Sequence, residues 1–125
     1  MADTVTRFFD DLARHGHERL LPKTSGTIRF DLRHGHTVDH WFVEFGGGAV
    51  RVTRDERDAD TVIGADEDFF RRMALGEAKP LTAWLRNDIT AEGQFRFVVI
   101  LERLFPAPPG ARHPRSLVRN RRVRR

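Results

Sequence analysis

The 125 residues suit one compact domain, which can bury roughly two-thirds of its unfolded surface, and leave little room for a second. Cysteine is absent, which excludes disulfide scaffolds, thiolate zinc sites, thiol catalysis and cysteine redox sensing. No apolar run is long enough to cross a bilayer or to open the chain as a secretion signal, so the expected location is cytoplasmic. The net charge of +4 hides an asymmetry: seven arginines and no acid lie between Arg112 and Arg125, and taking those seven charges away leaves −3 on the rest. Ten Phe and two Trp stand against no Tyr, so nearly every ring is wholly apolar. Such rings suit a dry core or a cavity for an apolar ligand better than a polar recognition surface.

Val5, Phe8, Phe9 and Leu12 have the spacing of one helical face, with Asp3 or Thr4 as cap and Gly16 as stop. After Leu20, Leu21 and Pro22 the period changes to two. Ile28, Phe30 and Leu32 alternate with charged residues, His34-Gly35 turns the chain, and Val38–Phe45 returns with Trp41, Val43 and Phe45 on one face. Gly46, Gly47 and Gly48 reverse it again into Val50 and Val52, completing a three-strand meander. The charged run 54–58 reads as a surface connection, and Ala59–Ala65 as a fourth strand. Asp66 is placed to cap a helix carrying Phe69, Phe70 and Met73, with Gly76 as its end. Pro80 opens a further helix carrying Leu81, Trp84 and Leu85, and Ile89–Gly93 reads as a last short strand. Residues 95–105 fit both periods. The length of the run and the placement of Glu102 and Arg103 favour a helix, apolar nearly all round at its start and therefore in need of cover on both sides. From Pro106 onward proline and arginine dominate, marking a flexible basic tail over 106–125 beside a domain over 4–105.

This order resembles the sterol carrier protein type lipid-binding domain, in a bacterial member, over residues 4–105. The likeness is carried by Trp41 in the second strand, the glycine turn at 46–48, and Asp60 before Thr61–Gly64. Asp66–Phe70 opening a helix that closes at Gly76, then Pro80, Trp84 and Gly93, complete it. The resemblance implies an α+β fold: a five-stranded mixed sheet, meander first, covered by helices and closed by an apolar C-terminal helix. It also implies non-enzymatic binding of a sterol, fatty acid or acyl-CoA in an internal cavity, with transfer or presentation of the ligand and no cofactor. The chain departs from that family in three places. It lacks the Gly-Lys of many relatives between Arg86 and Ile89, carries the arginine tail, and ends Arg124-Arg125 where peroxisomal relatives carry a Ser-Lys-Leu-type address.

A lipid site needs apolar walls left unfilled by the protein itself. Phe69, Met73, Leu81, Trp84, Phe97, Leu101 and Phe105 are the candidate lining, with the helix 95–105 shifting to admit a ligand; the plainer reading of the same residues is a close-packed core. His15-Gly16-His17, His34-Gly35-His36 and His40 lack a metal-ligand spacing and read as turn residues, so no metal is expected. Ser25 and Ser116 lie in no nucleophile elbow. Asp39 with His40, or Asp55 with Glu56, would be the acid and base of an alternative, a small steroid-isomerase-like or hydratase-like enzyme of cone fold. That fold places its long strands late, whereas here the meander comes early. The arginine tail offers a third reading, docking to an anionic membrane surface or an acidic partner; the acidic body disfavours nucleic acid.

Overall fold

The computed structural model describes residues 3–16, 24–94 and 96–105. Within them the elements run α1 (Thr4–His15), β1 (Gly26–His34), β2 (Thr37–Gly46), β3 (Ala49–Thr53), β4 (Thr61–Asp66), α2 (Glu67–Ala74), α3 (Pro80–Leu85), β5 (Thr90–Gly93) and α4 (Arg96–Leu104). The five strands form one mixed sheet in the order β3-β2-β1-β4-β5, with β1 and β4 parallel and every other pair antiparallel. This is the expected α+β architecture, meander first and apolar helix last.

The register follows from burial. Ile28, Phe30 and Leu32 stand opposite Val43, Trp41 and Asp39 on one side, and Thr61, Ile63 and Ala65 on the other. A slip of one residue would turn Ile28, Phe30, Leu32 and Ile63, all fully buried, out to water. Helices α1, α2 and α4 lie on that apolar face: Phe9 meets Phe30 and Trp41, Phe70 meets Phe30, and Phe97 stacks near Phe45. The opposite face carries Arg29, Asp31, His40 and Phe42. Because β3 is an edge strand and β4 pairs with β1, residues 54–60 must cross this outer face. Arg29 Nη1 fastens that strap by donating to the carbonyls of Glu56 and Arg57, at 3.0 and 3.1 Å, and the Arg57 guanidinium covers the ring of buried Phe42.

Three local expectations are revised, and Gly16 is not among them: it closes α1 as its C-cap, in the right-handed conformation (φ −59). A Cβ there would come within 2.7 Å of Leu12 Cδ1 and 3.1 Å of Val50 Cγ2; its role is to let α1 lie close against β3. The first turn is Gly35-His36, one residue later than expected. Asp66 has the extended backbone of an N-cap but gives α2 no side-chain hydrogen bond, because its carboxylate accepts from Arg33 Nε at 3.1 Å. On α3 the buried residues are Pro80 and Ala83, while Leu85 is 68% exposed.

The end of α2 is as expected. Gly76, at φ +81, donates to the Met73 carbonyl and Glu77 to the Arg72 carbonyl, the paired bonds of a Schellman motif. The helix read over 95–105 is α4 over Arg96–Leu104, with Phe95 outside the described residues. Phe97, Val98, Leu101 and Leu104 are buried, but Val99 is half exposed, so cover on α4 is incomplete. His17, Leu20, Leu21, Pro22 and the tail 106–125 lie outside the described residues. Among the described residues no helix is long and apolar enough to cross a membrane.

Candidate functional site

The centre of the molecule is a column of aromatic rings, built because four elements each deliver rings to one point. Asp3 caps α1 by accepting the Thr6 amide at 2.9 Å, and that backbone hydrogen bond holds its carboxyl below the usual range, with Arg71 adding to the effect. The cap fixes the helical phase. Phe9 then points to the sheet, and Phe8 sits one helical step round, toward α2 and α4. Phe9 stacks on Trp41 at 4.3 Å and on Phe70 at 5.4 Å; Phe8 stacks on Phe105 at 4.4 Å; Phe70 meets Phe105 edge-on at 5.4 Å. Outside the column, Arg54 lays its guanidinium 4.2 Å over the other face of Trp41.

One surface cleft adjoins this column and a second lies beyond Phe69. The first, of about 350 Å³, lies where α1, the end of α2 and the end of α4 meet. Buried Phe8, Leu104 and Phe105 form its floor, and exposed Arg7, Asp11 and Leu75 stand at its rim. The other, of about 470 Å³, runs between α2 and α3, with Phe69 and Ala83 beneath Arg72, Lys79, Arg86 and Asp88.

The candidate lining residues are distributed between core and clefts. Met73, Phe97 and Leu101 are completely buried and, with Phe105, belong to the continuous core. Phe105 also floors the first cleft. Phe69 is half-buried, lies under Arg72 and lines the second cleft. Trp84 is half-buried against the core, and Leu81 is half-buried on α3. Sequence reasoning placed Phe8 in the core face of α1 and left out Ala74, Leu75 and Leu104. The available signal was the Phe8-Phe9 pair: adjacent helical residues diverge by about 100°, so two neighbouring rings cannot both face the sheet.

Of the proposed acid–base residues, His40 lies on the outer face and Asp55 and Glu56 on the strap that crosses it, whereas Asp39 stands opposite Leu32 on the other side of β2, at its open end beside Arg54. His40 Nδ1 is 2.7 Å from Asp31 Oδ1 and its Nε2 3.4 Å from Glu56 Oε1. Asp39 is 3.7 Å from Arg54, and Asp55 is 3.2 Å from Arg57. Among the described residues no three His, Asp or Glu side chains converge as a metal set would. Burial pushes the Asp31 carboxyl upward, but hydrogen bonds from Arg29 and His40 outweigh it, and the carboxyl lies below its ordinary value. The unfolded chain therefore takes up this proton first as the pH falls. The stabilisation is present above the ordinary carboxylate value near 3.9 and is lost as the pH drops through the folded value. Asp31→Asn is expected to cost on the order of 1–2 kcal/mol at pH 7, with the gap to wild type narrowing at pH 3 in urea unfolding.

Residues 9–106 match the model of the SCP-2 sterol transfer family. The chain belongs to that family. Solved structures agree with the fold of this SCP-2 domain. The sterol carrier protein domain 2 of Helicoverpa armigera superposes with a TM-score of 0.65 at 16% identity, covering 81% of this chain and 87% of that one. Palmitated SCP2L2 from Aedes aegypti gives 0.66 at 12% identity, over 83% and 96%. Aedes aegypti sterol carrier protein 2 in complex with palmitate gives 0.63 at 17% identity, over 82% and 94%. No curated protein matches the chain by sequence.

Proposed function

We propose that this domain is a non-enzymatic carrier of an apolar ligand (a fatty acid, sterol or acyl-CoA) held among α1, α2, α4 and the sheet. The supporting observation is the first cleft, whose floor of Phe8, Leu104 and Phe105 is the outer end of the aromatic column. Its volume of about 350 Å³ is at the small end for ligand sites, so an acyl chain enters by parting Phe105 from Phe8. Displacing that ring opens a route to Phe70, which it meets edge-on, and Met73 stands one turn further along α2. Parting Phe105 from both Phe8 and Phe70 costs about 1–3 kcal/mol for the two aromatic pairs, whereas each buried methylene contributes about 0.8 kcal/mol, so about four methylenes suffice. Palmitate in the Aedes relatives points to the same ligand class. The exposed, ion-paired Asp39 and Glu56 lack the apolar pocket an isomerase acid would need.

The test is direct binding of radiolabelled palmitate, cholesterol and palmitoyl-CoA to delipidated protein. At least one should bind saturably. Leu75→Glu, at the half-exposed rim of the cleft where folding is undisturbed, should weaken binding several-fold. If none of the three binds, the carrier reading fails. The segment 106–125 is proposed to hold the carrier at anionic surfaces in the cytoplasm through its seven arginines. Deleting residues 106–125 should then abolish salt-sensitive vesicle binding and leave ligand affinity unchanged.

A further inference from the structure

The strap over the outer face is tied down by charges, and one tie depends on a proton. His40 of β2 stands between two carboxylates, with Nδ1 2.7 Å from Asp31 Oδ1 on β1 and Nε2 3.4 Å from Glu56 Oε1 on the strap. An ionised carboxylate only accepts hydrogen bonds, and a neutral imidazole has a single N–H to give. With that proton on Nδ1, at the shorter contact, the Nε2 lone pair faces the Glu56 oxygen and repels it. The imidazolium carries an N–H on both nitrogens and satisfies both carboxylates. We infer that His40 is a proton-operated latch, tying the strap to the sheet through Glu56 when protonated and releasing Glu56 when neutral.

The neighbouring groups leave the switching to this tie. Arg29 on β1 donates to Asp31 at 2.9 and 3.1 Å and to the carbonyls of Glu56 and Arg57, with Asp58 contributing to the field at its guanidinium. Arg54 on the strap donates to the His40 carbonyl at 3.3 Å and lies near Asp39, while Arg57 pairs with Asp55. None of these arginines or ionised acids changes charge where an imidazole ordinarily does, between about pH 5 and 8. Asp31, held in its ionised form by Arg29, remains an acceptor throughout.

The amide chemical shifts of residues 55–58 in the full chain, followed by NMR against pH and read as the ratio of tied to released strap, test the latch. That ratio should fall about two- to fivefold between pH 5.5 and 8.0, the scale of an exposed ion pair. Glu56→Gln should flatten that profile, because its amide accepts from the imidazolium and equally donates to a bare Nε2. Glu56 is 77% exposed, so this substitution leaves the core intact. A wild-type ratio that stays level across the range, or a Glu56→Gln profile falling like the wild type, overturns the inference.

Discussion

Gly93→Ala is expected to remove on the order of 3–4 kcal/mol of stability, a large part of the 5–15 kcal/mol that holds a typical domain folded. The reason is a junction around Asp60. Its carboxylate accepts the Thr27 amide at 3.0 Å, its own amide donates to Thr27 Oγ1 at 2.8 Å, and its carbonyl accepts the Gln94 amide at 2.9 Å. Thr61 Oγ1 closes the set by donating to the Gln94 carbonyl at 2.8 Å. One residue thus joins the starts of β1 and β4 to the end of β5 and the approach to α4. Gly93 passes directly over this junction, at φ +111, and a Cβ built on it falls onto the Asp60 carbonyl oxygen, with Asp60 C and Thr61 Cα both at 3.0 Å. All three atoms are backbone, so no rotamer relieves the overlap. Strain at such a φ costs about 1–3 kcal/mol and overpacking about as much again. Gly35→Ala is the control, because Gly35 has φ +61 and nothing within 4 Å of its Cβ, leaving conformational strain of about 1–2 kcal/mol alone. Equal losses for the two variants in urea unfolding would show that the Asp60 junction yields.

What could be read ahead of the structure depended on how many residues vote on each element. The meander has two long alternating runs and a short third, separated by glycine turns, and the one break in alternating burial is Phe42, covered on the outer face by Arg57. The run ending at Phe105 fits both periods, and nine residues with Glu102 and Arg103 on one side are enough to decide for the helix. Six residues are not enough on α3. A turn and a half gives no repeat to count, and the element presses its smallest side, Pro80 and Ala83, to the core so that Ala83 O can receive the amides of Asp88 and Ile89 at 2.8 and 3.4 Å. Glu67 shows a different limit. It is a buried acid because Arg71 reaches it at 2.7 Å and His34 at 3.4 Å, partners from its own helix and from a distant hairpin. The candidate lining was legible as apolar, but which rings face a cleft and which fill the core depends on helix phase and neighbour size. Phe69 and Phe70 are adjacent, and only Phe70 enters the column.

Phe9→Ala is expected to cost about 3–5 kcal/mol, since Phe9 is 1% exposed and touches four other rings. It is also the substitution that most sharply joins packing to the proposed carrier function. The surroundings are aromatic and aliphatic with no polar group to hold water, so the vacated space stays dry and favours an apolar guest. Its neighbours Phe8 and Phe70 both contact Phe105, the ring an entering acyl chain displaces, so the vacated space adjoins the proposed ligand route. Palmitate should therefore restore more stability to Phe9→Ala than it adds to the wild type, by at least about 1 kcal/mol at matched saturation, because the chain occupies space that wild-type Phe9 fills. Phe9→Leu keeps most of the volume and should show both a smaller loss and a smaller gain. Thermal unfolding with and without palmitate separates the cases. If Phe9→Ala is destabilised but gains no more from palmitate than the wild type does, the ligand lies away from the column and the α1/α2/α4 route is wrong even though the packing argument stands.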